Sequence, residues 1–234
     1  MGRHFEVRAA AMAATGAKKS ALYMRASKEI YMAAKSGLPD PDSNLALRSA
    51  IDKYKGLHVT KDVIERAIKK ATGGEGEAYV SGRYEAFGPG ASLIIVDTLT
   101  DNVNRAFIDV RTSITRKGGH LGTVAYNFTE AGLLVFKGDN PDAIGETLIL
   151  ADVDVTDVSG GDGIIEVQVN PTSLNAAKVA LGELGITEFE VAEITMLPNE
   201  TVTLEGEELT TFQNLLDVLD ELQDVQNVYH NVAL

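Results

Sequence analysis

Apolar residues at 17–36 recur with a helical period. At 100° per residue, Leu22, Tyr23, Ala26, Ile30, Ala33 and Ala34 share one arc, and Lys18, Arg25, Lys28 and Lys35 share another. Gly37 and Pro39 stop this helix. A second begins after the Asp40-Pro41-Asp42 signal, with Pro suited to the first turn and Asp to the cap, carries Leu47, Ala50, Ile51 and Tyr54 inward and ends at Gly56. A third takes Thr60 as its N-cap, with Val59 stapled against Ile64. Its apolar face is Ile64, Ile68 and Ala71, and Lys61, Arg66, Lys69 and Lys70 look outward. Gly73-Gly74-Glu75-Gly76 then reads as a flexible joint, so residues 1–75 form a helical domain.

From Ala78 the period becomes that of strands. Tyr79–Phe87 and Leu93–Thr100 flank a turn at Gly88-Pro89-Gly90. A helix follows with Val103, Phe107, Val110 and Ile114 inward, closed by Gly118-Gly119, and Val124–Phe128 reads as a further strand. Residues 133–197 hold a βαββαβ order: strands at 133–137, 153–158, 164–169 and 188–196, helices at 141–151 and 173–182. That order is ferredoxin-like. A helix at 207–223, with Leu209, Phe212, Leu216 and Leu219 apolar, and a strand at 226–232 close the chain. The block at 78–128 lacks a second helix, and the tail has no sheet of its own. The economical fold joins them. The predicted class is α+β: a three-helix domain at 1–75, a discontinuous α/β domain at 76–132 plus 199–234, and an inserted ferredoxin-like domain at 133–198.

Charge divides along the same lines. Residues 1–72 hold 14 Lys and Arg against 7 Asp and Glu, within a chain of 234 residues whose formal net charge is −13. No Lys or Arg follows Lys178, and the acidic stretch from Glu183 to Asp224 is expected to be solvated surface. A polyanion responds to a local basic surface and not to the molecular sum. Arg3, Arg8, Lys18, Lys19, Arg25, Lys28, Lys35, Lys61, Lys69 and Lys70 are therefore the candidate phosphate contacts. Arg105 lies at a helix N-terminus, where a cation is disfavoured, which points to an anionic partner in protein or phosphate. Arg83 and Glu85 alternate onto one strand face and are expected to pair.

The remaining inventory is mostly exclusion. There is no cysteine, no apolar run of membrane-spanning length, and no apolar leader in Met1–Arg8. His4, His58, His120 and His230 show no metal-ligand spacing, and no catalytic triad or dyad is visible. The expectation is a cytoplasmic, monomeric, non-enzymatic protein without cofactor, metal or membrane partner.

One long stretch is more specific. Gly82-Arg83-Tyr84-Glu85-Ala86-Phe87-Gly88-Pro89-Gly90, Thr100-Asp101-Asn102-Val103-Asn104-Arg105 and Lys117-Gly118-Gly119-His120-Leu121-Gly122 resemble the motifs of the YebC/PmpR family. The Met1-Gly2-Arg3 start and the Tyr229-His230-Asn231-Val232 ending fit too, and the likeness is greatest to the shorter YeeN-like branch. The resemblance implies a cytoplasmic regulator of gene expression with three domains, either a DNA-binding transcriptional regulator or a ribosome-associated factor that relieves stalled translation. It also marks Arg83, Asn104, Arg105, Lys117, Gly118, Gly119 and His120 as partner-contact positions. The expected partner is nucleic acid: DNA, or rRNA and tRNA on the ribosome. The competing reading is a small-ligand or protein-interaction module built on ferredoxin-like domains.

Overall fold

The computed structural model describes residues 16–73, 76 and 78–234. Among these the chain divides into two compact units, one holding residues up to Phe128 together with Pro198–Ala233, the other Thr129–Leu197 with the terminal Leu234.

In the larger unit three helices come first: α1 (Gly16–Lys35), α2 (Leu45–Gly56) and α3 (Lys61–Thr72). Their shared core contains Ile30, Leu47, Ile51, Tyr54 and Ile64. Each such aliphatic side chain contributes about 1.5–3 kcal/mol when fully buried. The start of α2 corrects the expected Asp40–Asp42 cap. Asn44 is the N-cap, its Oδ1 accepting from Leu47 N at 3.0 Å, because its amide also donates to Ala33 O and Leu38 O and so ties the α1–α2 turn to the helix start. Thr60 does occupy the N-cap of α3, and Val59 and Ile64 are both buried in the helical core.

The sheet of this unit has the order β3-β1-β2-β8. Its strands are β1 (Val80–Phe87), β2 (Leu93–Thr100), β3 (His120–Leu121) and β8 (Val225–His230), and every pairing is antiparallel. Helix α4 (Val103–Arg116) follows β2, and α7 (Gly206–Glu221) precedes β8. Residues 124–128 do not form a separate strand. Ala125–Asn127 is a 3-10 turn and Phe128 starts β4 (Phe128–Lys137), because the Glu85 carboxylate draws the N–H groups of Val124 and Ala125 into a turn, each at 2.7 Å.

The smaller unit contains most of β4, α5 (Pro141–Leu150), β5 (Val155–Gly161), β6 (Ile164–Val169), α6 (Leu174–Glu183) and β7 (Val191–Pro198), with strand order β5-β6-β4-β7. Strand β4 is apolar on both faces. Leu134 and Phe136 pack with Leu148, Val167 and Leu181, whereas Leu133 and Val135 belong to a second cluster with Leu197.

Candidate nucleic-acid interface

Helix α1 presents its cations as the periodicity requires, but three of the four meet the chain's own acidic end. Lys18 bonds the Asp217 carboxylate. Arg25 donates from Nη2 to the Asp220 carbonyl at 2.6 Å and from Nε to the Val225 carbonyl at 2.8 Å. The last carbonyls of a helix have no partner within it, and cations are favoured there by the helix dipole, so Arg25 caps α7 on both counts. Lys28 is buried, its Nζ donating to Leu99 O at 3.1 Å, Gln223 O at 2.9 Å and Asp224 Oδ1 at 2.8 Å.

Asp224 is the node of this arrangement. It is 3% exposed and also accepts from Arg105 Nε at 2.8 Å and Nη2 at 3.0 Å. Burial alone would raise its carboxyl, yet the bonds from Arg105 and Lys28 outweigh burial and hold it below the ordinary value. Bonds from Asp224 and then Asp101 push the Arg105 guanidinium further up. The anionic partner that helix-terminus electrostatics demanded for Arg105 is thus protein carboxylate on two sides, with Asp101 at 2.7 Å. Lys18, Arg25 and Lys28 do not form an open row for phosphate. The acidic stretch is correspondingly more than solvated surface, since Asp217, Asp220 and Asp224 supply the counter-charges.

Other candidate cations lie on exposed residues. Lys19 is exposed over the Tyr23 ring, and Lys35 is exposed with its Nζ 3.0 Å from the Tyr31 hydroxyl. On α3, Lys61, Lys69 and Lys70 are exposed, Lys61 forming an i,i+4 pair with Glu65 at 3.3 Å. A pair of that kind is worth only about 0.3–0.5 kcal/mol and yields easily to a phosphate. Arg3 and Arg8 lie outside the described residues.

The motif residues around β1 and α4 are largely architectural. Arg83 does not pair with Glu85. It makes a two-pronged contact with Asp97, its register partner on β2, at 2.7 and 2.9 Å, which frees Glu85 for the turn at 124–125. Lys117, Gly118 and Gly119 end α4: Gly119 N–H reaches Ile114 O, Gly118 N–H reaches Thr115 O, and Gly118 has φ +82°. This is a Schellman termination. A Cβ on Gly119 would stand 2.5 Å from the Phe87 carbonyl oxygen, so only glycine lets the chain turn back into β3. His120 is exposed and stacks on Phe87 with ring centroids 5.1 Å apart.

Asn104 is exposed at the start of α4. The inward face of that helix differs from expectation. Ala106, Val110 and Ile114 are buried, while Val103 is 50% and Phe107 38% exposed. The small Ala106 permits close approach to the sheet, and Phe107 is displaced to the flank, where it meets Tyr84 at 6.0 Å. Sequence reasoning therefore missed the outer stripe of α4, including Ile108 at 58% exposure and the exposed Arg111. A helical wheel anchored on Ala106 instead of Phe107 would have shown it.

Among the described residues no group of His, Asp and Glu is arranged to hold a metal ion, and no helix is long and apolar enough to cross a membrane. Residues 3–74 match the model of the TACO1/YebC N-terminal domain, and residues 79–232 match that of the TACO1/YebC second and third domain. A probable transcriptional regulatory protein of Mesoplasma florum is 52% identical over 237 residues, covering 100% of both chains. The crystal structure of a conserved hypothetical protein from Aquifex aeolicus superposes with a TM-score of 0.76 at 34% identity, covering 93% of this chain and 91% of that one. This chain belongs to the TACO1/YebC family.

Proposed function

We propose that this protein is a non-enzymatic, nucleic-acid-binding regulator of gene expression, docking through the solvent-facing cations of its N-terminal helices. The carrying observation is that Lys19, Lys35, Lys61, Lys69 and Lys70 remain exposed on α1 and α3 of a chain that is otherwise acidic. The Mesoplasma relative, a probable transcriptional regulatory protein, supports the regulatory reading and favours transcription over translation. Five lysines on phosphates would give a log–log salt slope of about −4.5, with little dependence on base sequence. Lys18, Arg25 and Lys28 contribute to folding in this reading, not to docking.

The test is a salt series of duplex-DNA binding by the full chain beside ribosome co-sedimentation. Lys69→Glu with Lys70→Glu should weaken binding uniformly across sequences and reduce the slope by about two. Binding that is indifferent to salt and to both reversals would remove the proposal in favour of a protein- or ligand-binding module. Ribosome association lost in the variant, without duplex binding by either protein, would shift the role to translation.

A further inference from the structure

Helix α4 has a solvent-facing outer row. Asn104, Ile108 and Arg111 fall within about 60° of one another on the helical wheel, opposite the buried Ala106, Val110 and Ile114. The Asn104 side chain makes no hydrogen bond among the described residues, and the Arg111 guanidinium makes no ion pair there, resting 6.0 Å from the Phe107 ring centroid. Ile108 puts a large aliphatic side chain at the outermost point of a surface helix with 58% exposure. The two flanks of the row are occupied. Arg105 is held by Asp224 on one side, and Phe107 meets Tyr84 on the other. The row therefore lies between its flanking contacts.

We infer that this face of α4 reads base edges in the major groove of duplex DNA, with Asn104 on an adenine, Arg111 on a guanine and Ile108 against a thymine methyl. The inference rests on the nucleic-acid reading above and assigns sequence readout to a surface separate from the phosphate-gripping lysines. The chemistry fits residue by residue. A carboxamide matches the N6/N7 edge of adenine, a guanidinium fork matches O6/N7 of guanine, and an apolar group suits the C5 methyl of thymine. The major groove of B-DNA admits a helix, whereas that of A-form RNA is too deep and narrow for side chains to read. The row carries no carboxylate, and Arg116 adds a further cation in the last turn of the same helix. Asn104 and Arg111 are seven residues apart, about 10.5 Å along the axis, or three base-pair steps at 3.4 Å each.

The experiment is selection of binding sites by the full chain from a random duplex pool, then titration of the chosen site and of a scrambled duplex with intact protein, Asn104→Ala and Arg111→Ala. Both side chains are solvent-facing, and a denaturation midpoint equal to that of the intact protein verifies each fold. The selection should enrich an adenine and a guanine about three base pairs apart. Arg111→Ala should then weaken the selected site about 5- to 150-fold and relax only the guanine position, leaving scrambled DNA unaffected. Three results overturn the inference: no enrichment despite tight binding, equal loss on both duplexes with the salt slope reduced by about one, or a single-stranded RNA that outcompetes the selected duplex at Arg111. Failure to bind any duplex would instead strike the docking proposal itself, whereas Lys69→Glu with Lys70→Glu should weaken the selected and the scrambled duplex alike and leave their ratio unchanged.

Discussion

Replacing Asp224 by Asn keeps the shape of the side chain and removes the charge that Lys28 and Arg105 share. Asp224 is 3% and Lys28 8% exposed, so solvent cannot take over as counter-charge. Removing one member of a buried pair leaves an uncompensated ion and costs about 3–5 kcal/mol. With a urea slope of about 2 kcal/mol per M, the unfolding midpoint of the larger unit should fall by about 2 M. Acid provides a second signature. The carboxyl sits below its ordinary value in the fold, so its stabilisation is complete above the unfolded value of about 4 and is lost as pH falls through the depressed one. Intact protein and variant should therefore converge in stability at strongly acid pH. Urea denaturation followed by tyrosine fluorescence, repeated from neutral pH downward, measures both effects, and amide exchange in Thr129–Leu197 should not change. A loss below about 1 kcal/mol at neutral pH would refute the reasoning, since it would mean that the cations find other partners at no cost.

Further outcomes follow from other contacts. Burial lowers the His230 imidazole to about 4 despite a backbone hydrogen bond with Val232, so the fold keeps it neutral. The unfolded chain protonates near 6.5, and stability should drop by about 3 kcal/mol between pH 6.5 and 4. His230→Gln should flatten that slope in an acid titration of the unfolding free energy, and an unchanged slope would acquit His230. Glu85→Gln weakens two charge-assisted bonds to the Val124 and Ala125 N–H groups, and about 1.5–3 kcal/mol of local protection should vanish from those two amides in hydrogen exchange. Gly119→Ala places a methyl against the Phe87 carbonyl, and should cost more in thermal melting than Gly118→Ala, whose Cβ meets nothing within 4 Å and bears only the strain of a positive φ.

Elements with a strong local period were legible in the sequence, and contacts that span the chain were not. Leu93–Thr100 and Ile164–Val169 have the expected boundaries, because alternation and flanking turn residues define them locally. The inward row of α4 slipped because Phe107 outweighs Ala106 in any hydrophobic count, although close packing on a sheet favours the smaller residue. The family was evident from its motifs, but what those motifs do was not. Glu85 and Gly119 turn out to shape the turn and the return strand beside them. The basic stripe of α1 was correctly located on its helix. The partners of Lys18, Arg25 and Lys28 in the acidic end lie 195–200 residues away in sequence, and no periodicity reports a pairing at such a distance.

That interlock changes how the protein should be dissected. Cutting at Gly73 looks natural, yet it would strip Lys18, Arg25 and Lys28 of every carboxylate and carbonyl that neutralises them. The severed helices would then adhere to any polyanion, and with an avidity the whole protein does not possess. Meanwhile the remainder would keep Arg105 on Asp224 but lose Lys28 from it, and would unfold more readily. Point substitutions in the uncut chain are consequently the sound route to its function, and deletion mapping would report on artefacts of the scissors.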